Sequence, residues 1–520
     1  MKNRILSAVL LLTLFAAPSA AQDIYKVQAL TDQDLNGTAR FVGMGGAMNA
    51  LGADLSTMAT NPAAVGLYRR NDFSITGSFT TQPNGESFLD IDKSRASLDQ
   101  LGLVLKTNVN GNSLKFVNFG FNYQKRRNFK NFVGTGGLTG GLSQTQTMAD
   151  LGYFRGADIK TEQGYNSVPL FAGVGYDAGA IEAVRDGEGK VTDYSPLNAD
   201  RYAFKRVQWG GLSQFDFSLG LNFDEQIYAG IAFGLYDLNF RSAVDYFEFQ
   251  DGFSEGYLFQ NEEKLTGSGF DVKAGVILRP IAENPFRIGL AIHTPTWYEL
   301  TYESFNYVSV PSYDDDGKVT YSDASDGIQP YDYKVRTPWK FSLAAATTVA
   351  NKVAIDVEYE YSDLSTASVS YPDYDDWYEY GGGNRDYALK EEMKACLKGQ
   401  STFRIGAEAN LLPGFFLRAG YNYVSAPMKD DAYLNLLVDG QSSNYASGTD
   451  FVNLGAINRF TLGLGYRHKN FYADFAYQHQ AQSGTAYAFR VYDEALGANL
   501  AGQEVDLNRN NFMLTLGFKF

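Results

Sequence analysis

The side chains that could do chemistry in this sequence are few and widely spaced. Gly252-Phe253-Ser254-Glu255-Gly256 fits the G-x-S-x-G pattern, in which a serine on a strand-to-helix elbow attacks a carbonyl. It falls, however, between two strand-patterned segments with no helix after it. The only histidines are His293, His468 and His479, and no two stand at a metal or triad spacing. Cys396 is the only cysteine, which excludes an intramolecular disulfide and cysteine-based zinc or redox sites. The acidic clusters Asp314-Asp315-Asp316-Gly317 and Asp373, Asp375, Asp376 with Glu379 lack the spacing of a calcium loop. These residues predict no enzyme, no metal and no cofactor; a hydrolase would need its Ser and His to meet on the outer wall of the fold.

A second set of charges is more orderly. Lys340, Arg404, Arg418, Arg459 and Arg467 share a parity along their segments with Asp356, Glu358, Glu360, Glu408 and Asp474. Arginine forks suit carboxylates, so Arg404, Arg418 and Lys340 are candidate partners for a ligand carboxylate. The competing expectation is that opposite charges on facing walls neutralise one another, with Arg40 partnering a wall carboxylate.

The elements that must position these charges are strands. Val117, Phe119, Phe121 and Tyr123 alternate with Asn118, Gly120, Asn122 and Gln124. The same two-residue period runs through 215–223, 353–361 and 460–467. Fourteen strands follow from it, at 72–82, 94–107, 114–128, 206–223, 227–248, 266–278, 286–306, 331–349, 353–370, 401–412, 415–428, 456–467, 471–483 and 508–520. Short connections (108–113, 224–226, 279–285, 350–352, 413–414, 468–470) alternate with long ones (83–93, 129–205, 249–265, 307–330, 371–399, 429–455, 484–507). A soluble sandwich would also alternate. Long strands, aromatic ends, an even count and loops lopsided between the two rims favour an antiparallel transmembrane β-barrel. Phe512, Leu514, Leu516, Phe518 and the terminal Phe520 share one face, resembling the signal read by outer-membrane assembly machinery.

Composition agrees. There are 35 Tyr, 37 Phe and 53 Gly but 14 Pro, and no run of 18 apolar residues follows the N-terminus, so helices are not the spanning elements. Lys2 and Arg4, an apolar Ile5–Ala16 and small Ser19-Ala20-Ala21 form an export leader over 1–21, cut before Gln22. Losing Lys2 and Arg4 takes the formal charge from −15 to −17, which excludes nucleic acid as a partner. In a Gram-negative outer membrane the acidic tips become solvated ends or loose divalent-ion bridges to lipopolysaccharide. The chain is expected to be monomeric.

Between leader and first strand, residues 22–71 show no strand period but are apolar and glycine-rich, with Gly37, Gly43, Gly45, Gly46 and Gly52 ahead of Asn61-Pro62-Ala63. A short helix over Ala47–Leu55 and a turn at Asn61-Pro62 are expected. Fourteen strands enclose a lumen too wide for wall side chains to fill. This segment, too small to bury a core alone, is expected to plug it, the alternative being a disordered tail.

Gly37-Thr-Ala-Arg40, Gly45-Gly46-Ala47 and Asn61-Pro62-Ala63 resemble the N-terminal hatch of the FadL family of outer-membrane transporters for long-chain fatty acids and hydrophobic compounds. Arg287–Tyr298, containing His293-Thr-Pro-Thr-Trp297, and Thr337-Pro338-Trp339-Lys340-Phe341 with Asp356–Tyr361 are similar to that family too. The resemblance implies a signal peptide at 1–21, a hatch at 22–71 and a barrel at 72–520, with passive uptake of a hydrophobic small molecule. Capture by extracellular loops would be followed by a lumen pocket, then release by hatch movement, sideways through a gap at a kinked strand. The third strand carries no proline or break to make that gap. Candidates for ligand contact are Phe41, Met44, Met48, Asn61 and Pro62 in the hatch and Leu138, Leu142, Met148, Phe154 and Phe171 in the long loop 129–205. That loop is either a capture groove or folded inward on its neighbours. The rival functions are a porin-like channel for small polar solutes and a surface adhesin using loops 129–205 and 371–399.

Overall fold

The computed structural model describes residues 23–109, 111, 113–253, 255–313, 316, 318–371, 384–437, 446–492 and 499–520. The leader, Ser254, Asp314, Asp315, Gly317 and the acidic stretch 373–379 lie outside them.

Fourteen antiparallel strands form the wall: β1 Asp72–Thr81, β2 Ser94–Asn108, β3 Leu114–Asn128, β4 Arg201–Phe223, β5 Ile227–Phe249, β6 Tyr257–Leu278, β7 Arg287–His293 continued by Trp297–Tyr313, β8 Val319–Arg336 continued by Lys340–Val349, β9 Val353–Asp363, β10 Gly399–Leu412, β11 Phe415–Val424, β12 Phe451–His468, β13 Phe471–Tyr487 and β14 Arg509–Lys519. The ring closes where β14 pairs with β1, from Asp72 opposite Lys519 to Thr81 opposite Asn510. Each of the fourteen strands pairs with a neighbour on both sides, the condition for strands to cross lipid.

Polarity is inverted relative to a soluble protein around the lower half. Phe119 and Leu462 are 55% and 59% exposed, whereas Asn118, Asp216 and Asp356 are 0% exposed on the inward parity. Exposed Phe73, Phe217, Phe233, Phe341, Leu464 and Phe512 extend this apolar belt around the ring. Only lipid covers such a surface.

Above the belt the inversion ends. β5 is 23 residues long, about twice what a tilted membrane strand needs. Its outward row changes from Ile231, Phe233 and Leu235 to Asp237, Asn239 and Arg241 while its inward row becomes Tyr236, Leu238, Phe240 and Val244. β7 does the same, with Glu299 outward and Tyr298, Leu300 and Tyr302 buried inward. The upper wall is therefore a water-exposed sheet around an apolar interior.

The strands expected from the sequence are all present, with different limits. β4, β6 and β12 start earlier than expected and β13 runs to Tyr487, because their upper ends stand clear of the membrane. The ninth strand stops at Asp363, where a 3-10 turn Leu364–Thr366 intervenes, and Ser368–Tyr371 pairs instead with β8. Strands seven and eight are broken level with each other, at Thr294-Pro295-Thr296 and Thr337-Pro338-Trp339. Each proline removes a ladder donor. Threonine hydroxyls accept from the backbone N–H groups beside the breaks: Val272 N donates to Thr294 Oγ1 at 3.0 Å and Thr296 N to Thr337 Oγ1 at 2.8 Å.

β3 carries a break that its sequence conceals. Its ladder with β4 slips at Arg126, between Lys125 opposite Ser213 and Arg127 opposite Leu212. Its ladder with β2 ends at the Gln100–Gln124 pair, although β2 continues pairing with β1 up to Ser94. The chain then resumes beside β4 as the short strand Asn131–Leu138.

Residues 23–71 lie inside the ring. They form α1 (Ile24–Thr31), α2 (Ala39–Gly43) and two 3-10 turns, Leu55–Ala59 and Pro62–Leu67. The helix expected over Ala47–Leu55 does not form, because the Ala50 and Leu51 N–H groups donate to the wall carboxylate of Asp356 at 3.1 and 2.8 Å, and Gly52 takes φ +65°. Asn61 caps the second 3-10 turn through Ala63 N at 3.1 Å, with Pro62 at its first position. Outside the barrel end, the long loop folds into α3 (Gln144–Phe154), α4 (Glu162–Tyr165), α5 (Leu170–Asp177) and a hairpin of Ile181–Arg185 with Val191–Pro196. A further helix, α6 (Tyr387–Cys396), follows β9.

Candidate functional site

Glycines let the inner segment seat directly on the wall. Gly45 has φ +64°, and a Cβ there would stand 2.8 Å from Tyr421 N. On the opposite wall a Cβ at Gly230 would stand 2.3 Å from the Pro62 carbonyl carbon. Charges fix the segment sideways. Arg40 forks onto Glu408, Nε–Oε2 2.9 Å and NH2–Oε1 3.0 Å, as expected of a wall carboxylate partner. Glu408 also accepts from Arg418 Nε at 2.6 Å, and Arg418 NH1 reaches Asp474 at 2.6 Å. Arg404 pairs with Glu358 and Glu360. The forks of Arg404 and Arg418 are thus occupied by wall carboxylates, in keeping with mutual neutralisation. Lys340 reaches Thr31 O at 3.4 Å and has no carboxylate within salt-bridge distance among the described residues.

Two cavities are stacked along the inner segment. The upper one, of about 1060 Å³ counted to its open mouth, lies between α1, the inner faces of β4–β6 and residues 446–454. Its apolar lining includes Phe129, Phe240, Val244, Leu265, Leu434 and Phe451. Each charged side chain lining it is matched. Lys26 Nζ stands 3.3 Å from Asp23 and 2.9 Å from Glu263, Arg127 3.2 Å from Asp32, and Arg206 2.6 Å from Asp450. The lower one, of about 580 Å³, is polar, lined by Asp32, Asp34, Arg126, Lys340, Glu360, Arg404 and Arg459.

Part of the upper cavity's cover rests on α6. Asn435 N, next to the lining residue Leu434, donates to Glu392 Oε1 at 3.3 Å. Burial, with Asp23 and Asp386 nearby, pushes the Glu392 carboxyl up to about 8.

The ten ligand-contact candidates from the sequence do not line the upper cavity. Phe41, Met44 and Met48 pack with Ala476 and Met513 between inner segment and wall, and Phe41 also borders the lower cavity with Lys340 and Arg404. Asn61 and Pro62 are buried against β5 and β6. In the long loop, Met148 and Phe171 are fully buried in the extracellular core with Leu142 against it, whereas Leu138 and Phe154 face solvent. The loop is folded inward on its neighbours, which is why its apolar residues do not form an open groove. The cavity walls Asn131, Arg206, Phe240 and Glu263 were not singled out from the sequence. The usable signal was the apolar turn of the inward parity from Tyr236 upward.

The geometry defines a class, a closed fourteen-stranded antiparallel β-barrel with an apolar outer belt, whose inner wall packs against residues 23–71 and which keeps a cavity of mixed polar and apolar lining at the long-loop end. The solved structures similar to it include a FadL homologue from Pseudomonas aeruginosa, at TM-score 0.51 and 11% identity over 94% of this chain and 99% of that chain. Also similar are the Ralstonia pickettii toluene transporter TbuX (TM-score 0.46, 14% identity, 94% and 99% covered) and the P. putida toluene transporter TodX (0.45, 12%, 94% and 99%). At these identities the likeness is one of fold, and it matches the FadL-family resemblance read in the sequence. No family model matches the sequence. No curated protein matches it.

Proposed function

We propose that this chain carries hydrophobic small molecules inward across a Gram-negative outer membrane by passive diffusion, with residues 22–71 as a movable hatch. The observation that carries this reading is the pair of stacked cavities over a filled lumen. An apolar molecule can lie along Phe129, Phe240, Val244 and Leu265 at the outer end, beside charges that are already paired, and the lower cavity offers no comparable apolar row. An open porin would need an unfilled channel, and an adhesin has no use for a cavity behind α1. The residues nearest an exit are those of the β2–β3 seam. Phe129 and Asn131 line the upper cavity, and the main chain joining them to the end of the β2 ladder at Gln124 is held to β2 by side chains, Lys130 Nζ reaching Ser94 O at 2.8 Å. A ligand leaving sideways there bypasses the charged lower chamber. Fatty acids, aromatic hydrocarbons and terpenoids all suit an apolar wall, which discriminates weakly. Lipopolysaccharide around the belt and assembly through Phe520 accompany this reading, for a monomer.

The test is transport by the purified protein in liposomes. A hydrophobic fluorophore should enter faster than in protein-free vesicles, while liposome swelling in small sugars stays at background. Sugar flux with no fluorophore entry would establish the porin instead.

A further inference from the structure

The upper cavity carries two polar atoms that the fold leaves unmatched. Asn131 Oδ1 and Arg206 Nε are buried and have no hydrogen-bond partner among the described residues. Both residues line the cavity. They lie on adjacent strands: Asn131 opposes Gln208 and Val133 opposes Arg206, so Asn131 and Arg206 share a face as diagonal neighbours, within reach of a long side chain. One atom is an acceptor that lacks a donor and the other a donor that lacks an acceptor. The charges around them are balanced, since Arg206 is neutralised by Asp450, Lys26 by Asp23 and Glu263, and Arg127 by Asp32.

Resting on the carrier reading above, the geometry points to an uncharged amphiphile with a terminal hydroxyl as the ligand of this cavity. Its O–H donates to Asn131 Oδ1, its oxygen accepts from Arg206 Nε, and its hydrocarbon lies along Phe240, Val244 and Leu265. A carboxylate would bring a charge without a free counter-charge and would face the Asn131 acceptor with another acceptor, leaving a buried group unsatisfied. An alkane would leave both protein atoms unmatched.

The experiment measures binding of 1-dodecanol, methyl dodecanoate, dodecanoate and dodecane to the full-length protein in lipid nanodiscs, by native mass spectrometry. The wild type is run beside Asn131→Leu/Arg206→Lys, which removes both polar atoms while keeping the charge opposite Asp450. Dodecanol binding about tenfold or more tighter than dodecane and dodecanoate, with the ester between, supports the inference. The preference should shrink to within about threefold in the double variant. Dodecanoate or dodecane binding as tightly as dodecanol overturns the hydroxyl inference and leaves the carrier reading standing. Binding of none of the four above empty nanodiscs overturns the carrier reading itself. The ligand series on the wild type decides these outcomes even if the variant fails to fold.

Discussion

Replacing Glu408 by Gln should loosen the inner segment from the wall. Glu408 is shared by Arg40, from the inner segment, and Arg418, from the wall, and with Asp474 these four charges cancel. The side chains are 13%, 0%, 9% and 1% exposed for Arg40, Arg418, Glu408 and Asp474, so water screens them little. Glu408→Gln leaves a net positive charge in the lumen. Breaking a buried pair by removing one partner costs about 3–5 kcal/mol. The amide keeps its shape and a neutral hydrogen bond worth about 1 kcal/mol, which brings the expected loss to roughly 2–4 kcal/mol. At about 1.4 kcal/mol per factor of ten, the displaced-to-seated ratio of the segment rises about 30- to 700-fold. Single-channel recording in planar bilayers reads this as more frequent openings to electrolyte. Arg40→Met/Glu408→Met restores neutrality by leaving Arg418 with Asp474, and its opening frequency should fall back towards wild type. An unchanged frequency in Glu408→Gln, or additive effects in the double variant, would refute the role of this pair.

Other expectations are simpler. Gly230→Val places side-chain carbons where Pro62 and Ala63 now sit, yet valine suits a strand. The barrel should still migrate as folded in a cold detergent gel, while amide exchange over residues 61–67 speeds up with a cost of roughly 1–3 kcal/mol. Glu392 has a folded-state pKa raised to about 8, so its contribution is full below the unfolded carboxylate range and is lost as pH rises through 8. Amides of 434–437 should therefore exchange faster at pH 9 than at pH 6 after correction for intrinsic rate, and Glu392→Gln should remove that excess.

The two-residue period made the lower barrel legible because every strand there meets lipid on one side and a polar lumen on the other. Asp356, Glu358 and Glu360 could be placed inside from parity alone, and so could their cationic counterparts Arg404 and Arg418. The upper barrel was hidden by its own reversal. From Tyr236 and Tyr298 upward the same alternation continues with its faces exchanged, so a period count does not reveal where lipid ends. The break in β3 has no proline to announce it; it arises from a one-residue slip at Arg126, set by tertiary pairing. The one helix expected in the inner segment was misplaced for a related reason. Ala47–Leu55 is composed like a helix, but its N–H groups are claimed by Asp356, which lies some 300 residues away in sequence.

The most direct measurement fixes the inner segment to the wall. Ala50 and the β8 residue Ala344 belong to one buried cluster, so a disulfide between these positions would tie the inner segment to the wall. In Ala50→Cys/Ala344→Cys, with Cys396→Ser to remove the native thiol, oxidation should form the crosslink and stop uptake of the hydrophobic fluorophore, and a reductant should restore it. Uptake that continues unchanged with the crosslink fully formed would contradict a carrier whose lumen segment has to move.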